Sequence, residues 1–384
     1  MKPKKSPIPQ NDLFKMRLEN IIDLDHELVK LSKNIDWDSF DCEWGKLFKS
    51  NKGAPAIATR LIAGLHYLKH LYNLSDEQVV ARWVENPYWQ YFCGEQFFSH
   101  EFPIHPTSMT KWRNRLGEKG VEKLFIETIK VGLKTKTIKP SSLKKVTVDT
   151  TVQEKNINYP TDSKLLDKAR SNLVKRAKKH GLKLRQNYNR KCPSFALMAH
   201  RYAHAKQFKR MNNMNRKLKS RLGRVVRDIE RQLETYEKSI QEYFKLGLKQ
   251  AKQLISQQQN SKNKLYSLHA SETECISKGK ADKKYEFGVK VSIAVSNREG
   301  FALGAMNCPG NPYDGHTLAS QLAQVVKFTN GKINQCFVDR GYRGHGIKDV
   351  DVFLSGQKRG VTKSIKRALK RRSAIEAEIG HMKN

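Results

Sequence analysis

The chain of 384 residues carries 73 Lys and Arg against 37 Asp and Glu, a net charge of +36, which implies a polyanionic partner, nucleic acid foremost, without fixing a reaction. The six cysteines (Cys42, Cys93, Cys192, Cys275, Cys308, Cys336) show no paired short spacing, which speaks against a zinc site or a disulfide framework and fits a reducing cytoplasm. The charged stretch Met1–Pro7 has no apolar run behind it, and no segment approaches the roughly 18 apolar residues of a membrane span, so neither signal peptide nor membrane anchor is expected.

Asn11 and Asp12 can cap a helix running to about Lys33, with Leu13, Leu18, Ile21, Ile22, Leu24 and Leu28 on one broad face. That face suits either docking to a second copy or ordinary core packing. A second helix follows Pro55, with Ile57, Leu61, Leu65, Leu68 and Tyr72 at helical spacing. His66 and His70 lie one turn apart on it, but no acid sits between them as a third ligand, so packing is the reading for both. Ser75–Gln78 is a capping box opening a third helix through Trp83. Thr107 or Ser108 caps a fourth, Met109–Leu116, which carries Lys111, Arg113 and Arg115. Short helices ending in a basic one suit either a helix-turn-helix DNA reader or a plain bundle with a solvated basic face.

Residues 135–145 form a polar, basic connection and the best boundary, separating an all-α domain (1–139) from a second domain (140–384). Just beyond it Lys145–Val152 reads as a short buried strand with Asp149 in its middle, an acid that a buried strand avoids unless it has a task. Between 164 and 264 there are 28 Lys and Arg against six acids, so about a quarter of the chain holds most of the net charge. Leu165, Leu166, Ala169, Leu173, Val174 and Ala177 mark a helix stopped near Gly181. After Pro193 one long helix is expected towards Ser256, seamed by Leu218, Leu222, Val225, Ile229, Tyr236, Ile240 and Tyr243, with gaps at Gln232 and Ser239. This all-helical insertion reads as a hairpin packed on itself or on a second copy. Its cationic faces suit a clamp over DNA, since so large a surplus repels itself away from phosphates; His200 and His204 read as packing.

Asn297–Gly300 is a hairpin turn between strands Tyr285–Ser296 and Phe301–Met306. A helix at Thr317–Phe328 leads to Gln335–Val338, a second apolar strand ending in Asp339 and followed by Gly341. A short helix and the strand Asp351–Leu354 come next. Arg371–Lys383 reads as one helix with Arg372, Glu376 and Lys383 near one face, because steps of four and seven residues return to almost the same azimuth.

The words Val146-Thr147-Val148-Asp149-Thr150-Thr151, Tyr159-Pro160-Thr161-Asp162-Ser163-Lys164, Ser267-Leu268-His269-Ala270, Glu274 to Lys280, Tyr285-Glu286-Phe287-Gly288, Val338-Asp339-Arg340-Gly341-Tyr342-Arg343 and Arg372-Ser373-Ala374-Ile375-Glu376 occur in this order. Together, from about Leu47 to the end, they resemble the DDE transposases of bacterial insertion sequences, particularly the insertion-sequence-five family. The resemblance implies an α/β, ribonuclease-H-like catalytic core interrupted by the helical insertion and preceded by an all-α domain that recognises DNA ends. It implies a catalytic trio, Asp149, Asp339 and Glu376, holding two Mg²⁺ or Mn²⁺ ions, with Asp149 bridging them. Arg372 and Lys383 match the family's pattern and would grip phosphate or position the DNA end, with help from Arg340 and Arg343. The implied partners are double-stranded DNA (terminal inverted repeats and target) and a second copy, in a bacterial cytoplasm and near its nucleoid. The implied reaction is strand cleavage followed by strand transfer. The position usually held by Tyr, three residues before Arg372, is Leu369, and the chain stops one residue after Lys383. The alternative expectation is therefore a truncated, catalytically weak copy acting only as a sequence-specific DNA-binding protein or repressor.

Overall fold

A computed structural model describes residues 16–48, 56–258, 260–277 and 284–383. The expected cap at Asn11 and Asp12 lies outside them. The described part of the first predicted helix is not one continuous helix. Leu18–Asn20 forms a single 3-10 turn, and α1 (Glu27–Asn34) begins only where the His26 side chain accepts from the Leu28 amide. The reason is tertiary: Arg17 bridges to Phe97 and the Leu18 amide bonds the Gln96 carbonyl, which draws this stretch out against a distant loop. Asp36 then caps α2 (Trp37–Trp44).

Next come α3 (Thr59–Leu71), α4 (Asp76–Glu85) with its complete Ser75/Gln78 capping box, and α5 (Pro87–Cys93), capped by Asn86. The fourth predicted helix does not stop at Leu116. It is the first part of α6 (Thr107–Lys134), bent at Gly117, whose φ of 61° and ψ of −163° suit only glycine. Before the bend α6 gives Met109, Trp112 and Leu116 to an aromatic-rich core with Phe40, Trp44, Trp83, Trp89 and Phe92; after it, Ile129 joins the core of the sheet. All five tryptophans of the chain (Trp37, Trp44, Trp83, Trp89, Trp112) lie in this helical unit.

His66 is almost fully buried there, with Nε2 unbonded, and its pKa is lowered to about 4 by burial first and then by Arg113 and His70. Burial, Lys69 and Arg113 lower His70 as well, so both imidazoles are driven towards neutrality. The folded unit therefore binds fewer protons than the unfolded chain between the ordinary imidazole pKa and about 4. Its stability falls as pH drops through that window, by roughly 2 kcal/mol at pH ~4.5 for His66 alone. Tryptophan-detected urea unfolding should show this loss, and His66→Leu should flatten it.

The second unit is one mixed sheet. β1 (Lys145–Glu154) is followed by four helices of the insertion: α7 (Asp162–Lys179), α8 (Lys191–His204), α9 (Phe208–Leu233) and α10 (Lys238–Ser256). The single long helix expected after Pro193 is thus three. Lys206, at φ 55°, breaks the first joint, and the second falls between the seam's gaps at Gln232 and Ser239. Breaking the helix lets the seam fold back on itself. Leu166, Leu173, Leu218, Leu222, Val225, Ile229, Phe244 and Leu254 form one buried core.

The chain then completes the sheet with β2 (Glu274–Ser277), β3 (Tyr285–Ser296), β4 (Ala302–Asn307), α11 (Asp314–Thr329), β5 (Gln335–Val338) and β6 (Asp351–Leu354). It ends in α12 (Lys363–Arg371) and α13 (Ala374–Lys383). β2 and β4 both pair with β3, and the order continues β3-β1-β5-β6; β1 is antiparallel to β3 and parallel to β5. Alternation sorts the faces. Val146 and Val148 of β1, Ala294 of β3 and Cys336 and Val338 of β5 meet α11, whereas Ile293 and Val295 meet Ile375 of α13.

Candidate functional site

On β1 and β5 the last paired rung is Thr147 with Phe337. Asp149, in the middle of β1, and Asp339, just past the end of β5, each lie two residues beyond it, so both carboxylates leave the sheet on the face opposite Val148 and Val338. The parallel pairing of β1 with β5 sets them side by side. The Asp149 Oδ1 accepts from the Thr150 amide at 2.8 Å.

Arg372 links the pair. Its Nη1 is 3.5 Å from Asp149 Oδ2 and its Nη2 is 4.0 Å from Asp339 Oδ1, with the Arg372 and Asp149 side chains 12% and 20% exposed and that of Asp339 52%. Arg372 is not on the same helix as Glu376. α12 ends at Arg371, and the chain turns at Arg372 and Ser373 before α13 begins. The expected single helix is two because each half buries a different anchor. Ala368 of α12 offers its carbonyl to Asn297 Nδ2, which also bonds Thr147 Oγ1, while Ile375 of α13 seats on Ile293 and Val295.

Glu376 follows Ile375 and is exposed. Among the described residues no three His, Cys, Asp or Glu side chains form a group able to hold a metal ion, so Glu376 does not converge with Asp149 and Asp339 here. Glu378 stands beside the β3–β4 turn: a Cβ on Gly300 would lie 3.0 Å from its Oε1. Two adjacent hard-oxygen donors that draw a guanidinium between them fit a divalent cation in chemistry and charge.

The remaining predicted residues fall in distinct settings. Lys111, Arg343 and Lys383 are exposed. Arg113 bonds both Asp76 oxygens, at 2.9 and 2.6 Å, and Arg115 lies over the Phe48 ring at 4.8 Å, so both are engaged within the helical unit. Arg340 donates from Nε to the Ser355 carbonyl at 3.1 Å, which pins the β5 turn to the loop after β6.

Two features of the site were not among the sequence expectations. Asp314, at the start of α11, accepts from Thr150 Oγ1 at 2.8 Å and from Lys290 Nζ at 2.6 Å, tying the helix to the residue next to Asp149. Tyr342 is buried beneath it with its hydroxyl unbonded. Burial, then the charges of Asp149 and Asp314, push its phenol well above the usual range. The second feature is α12, whose nine residues include Lys363, Lys366, Arg367, Lys370 and Arg371 and no acid. Arg367 and Arg371 share a hollow of about 410 Å³ with Lys145 and Arg298. The acid-free run from Lys363 to Arg372, with six Lys and Arg in ten residues, is the sequence signal for it.

Residues 16–115 match a family described as Transposase domain (DUF772). The chain is also 52% identical over 208 residues to a protein of Rhizobium meliloti called "Uncharacterized protein ORF8 in nfe locus", an alignment spanning 54% of this chain and 100% of that one. No solved structure matches significantly. No helix among the described residues is long and apolar enough to cross a membrane.

Proposed function

We propose, from the premise that this chain belongs to one transposase-like family with the Rhizobium meliloti protein, that it is a DDE transposase that cuts and joins DNA strands on a ribonuclease-H-like core. The observation that carries this reading is the juxtaposition of Asp149 and Asp339 on adjacent parallel strands, with Arg372 between them. The strand order β4-β3-β1-β5-β6, with β2 also beside β3, supports the fold assignment through its three antiparallel and two parallel pairings.

Asp149 and Asp339 would hold Mg²⁺ or Mn²⁺; the family's pattern adds Glu376 and a second ion, which would require α13 to carry Glu376 up to the two aspartates. When bound, such ions activate the attacking hydroxyl and neutralise charge growing on the phosphate. Arg372, beside both aspartates, would grip a DNA phosphate at the site, for which its planar fork is suited. Lys383 and Arg343, both exposed, would add phosphate contacts. Arg340, held by Ser355, acts by fixing the turn that presents Asp339. Of the three cations expected to read DNA in the helical unit, Lys111 would make the contact, since Arg113 and Arg115 are engaged by Asp76 and Phe48.

The basic face of α12 lies on the same side of the sheet, so the DNA backbone would run along it. Arg367→Glu with Arg371→Glu should weaken duplex binding and flatten its salt dependence by about one unit of slope for each phosphate no longer neutralised. Fluorescence anisotropy across a salt series measures this.

The proposal is tested by incubating the chain and Mg²⁺ with a supercoiled plasmid carrying the DNA that flanks its own gene. Nicked circles, followed by joined products, are expected. Binding without nicking would leave only the DNA-binding alternative.

A further inference from the structure

Away from the two aspartates, β1 ends at Glu154 and residues 155–160 cross to α7, exposing Tyr159 at 65%. A ring this exposed gains little from the fold, yet its orientation is set. Phe287 of β3 meets it edge-on at 5.4 Å, and Tyr266 packs on the same Phe287 at 5.6 Å. Tyr159 borders two hollows, of about 560 and 420 Å³, so open space adjoins it on more than one side.

The larger hollow is bounded by α7. Lys164, Lys168, Asn172 and Arg176 recur every four residues and line it as one stripe. Each step rises about 6 Å and the stripe about 18 Å, a spacing commensurate with successive phosphates and a length beyond most small metabolites. No carboxylate is among the residues lining this hollow. Lys164 and Lys168 are exposed, and neither makes an ion pair among the described residues. Across from them stand Tyr266 and His269.

We propose that this cleft binds unpaired nucleotides of a DNA strand, a base stacking on Tyr159 while phosphates run along Lys164, Lys168 and Arg176. A duplex hides its base faces in its own stack, so an open aromatic face within a cationic groove is matched by an unstacked base. The strand that carries Asp149 also leads to Tyr159, so cleft and aspartates lie along the course of one segment. The inference takes its ligand class from the DNA-processing reading and does not require that Asp149 cut anything.

The test uses the full chain, a short fluorescein-labelled oligo-dT strand and a duplex of equal length, read by anisotropy. Tyr159→Ala should weaken binding of the single strand about tenfold and that of the duplex less than about twofold, while Tyr159→Phe keeps the affinity. Lys164→Ala with Lys168→Ala should weaken the single strand further and reduce its salt slope. Asp149→Asn should bind the strand as well as the parent chain even if all nicking is lost, which separates failure of catalysis from failure of the cleft. Equal losses on strand and duplex in Tyr159→Ala, no loss at all, or competition by poly-glutamate as effective as unlabelled oligo-dT would each overturn the proposal.

Discussion

Asp149→Asn is expected to lower metal-dependent nicking by on the order of a thousandfold or more, with DNA binding and folding retained. Asn keeps the shape of the side chain and an oxygen to accept from the Thr150 amide, which the Asp149 carboxylate meets at 2.8 Å. What it removes is the charge that, with Asp339, draws a cation to this end of the sheet. Plasmid nicking, with circular dichroism as a control for folding, checks the result. A variant that nicks within a few-fold of the parent would show that the catalytic centre lies elsewhere.

The second large effect is on stability. Asp76 has a 12% exposed side chain and takes Arg113 on both oxygens and Lys69 at 2.7 Å, which holds its carboxyl well below the usual carboxylate range. Asp76→Ala leaves two partly buried cations facing each other and His66, and should destabilise the helical unit by about 3 kcal/mol. A chain with several separate cores need not unfold in one step, but the five tryptophans all report from this unit, so the fluorescence transition isolates it. Because the Asp76 pKa is depressed, its contribution is present above the ordinary Asp pKa and disappears as pH falls below it. The parent and variant transitions should therefore converge in acid. A midpoint unchanged at neutral pH would mean that the triad adds no stability.

Much of the strand layout could be read from local pattern. β1, the Asn297–Gly300 hairpin and β5 each alternate or run apolar between turn residues, and their acids stand out because neighbours such as Val148 and Val338 are apolar. The Ser75 capping box and the stop near Gly181 are likewise local signals. What could not be read were breaks made by distant contacts. Nothing in Arg371-Arg372-Ser373-Ala374 forbids a continuous helix. Its division follows from Ala368 meeting Asn297 and Ile375 meeting Ile293, residues more than 70 positions away. The extended backbone at Arg17 depends similarly on Gln96 and Phe97. Lys206 offers no sequence warning of its left-handed turn.

The site was legible in the same uneven way. Asp149 and Asp339 could be paired through the parallel neighbourhood of their strands, whereas Arg372's position between them required the turn at the end of α12. Arg113 looked like a DNA contact by charge alone, and its commitment to Asp76 became visible only once α4 and α6 were side by side. Asp314 gives no signal in the sequence because an acid opening a helix is commonplace, and its link to Thr150 spans 164 residues.

On the proposed reading Asp149 and Asp339 share a divalent cation. Titrating the full chain with Mn²⁺ and following the free-ion signal by electron paramagnetic resonance tests it without needing a DNA substrate. The parent chain should deplete the signal and Asp149→Asn with Asp339→Asn should not; equal depletion by both would mean that the two aspartates hold no ion.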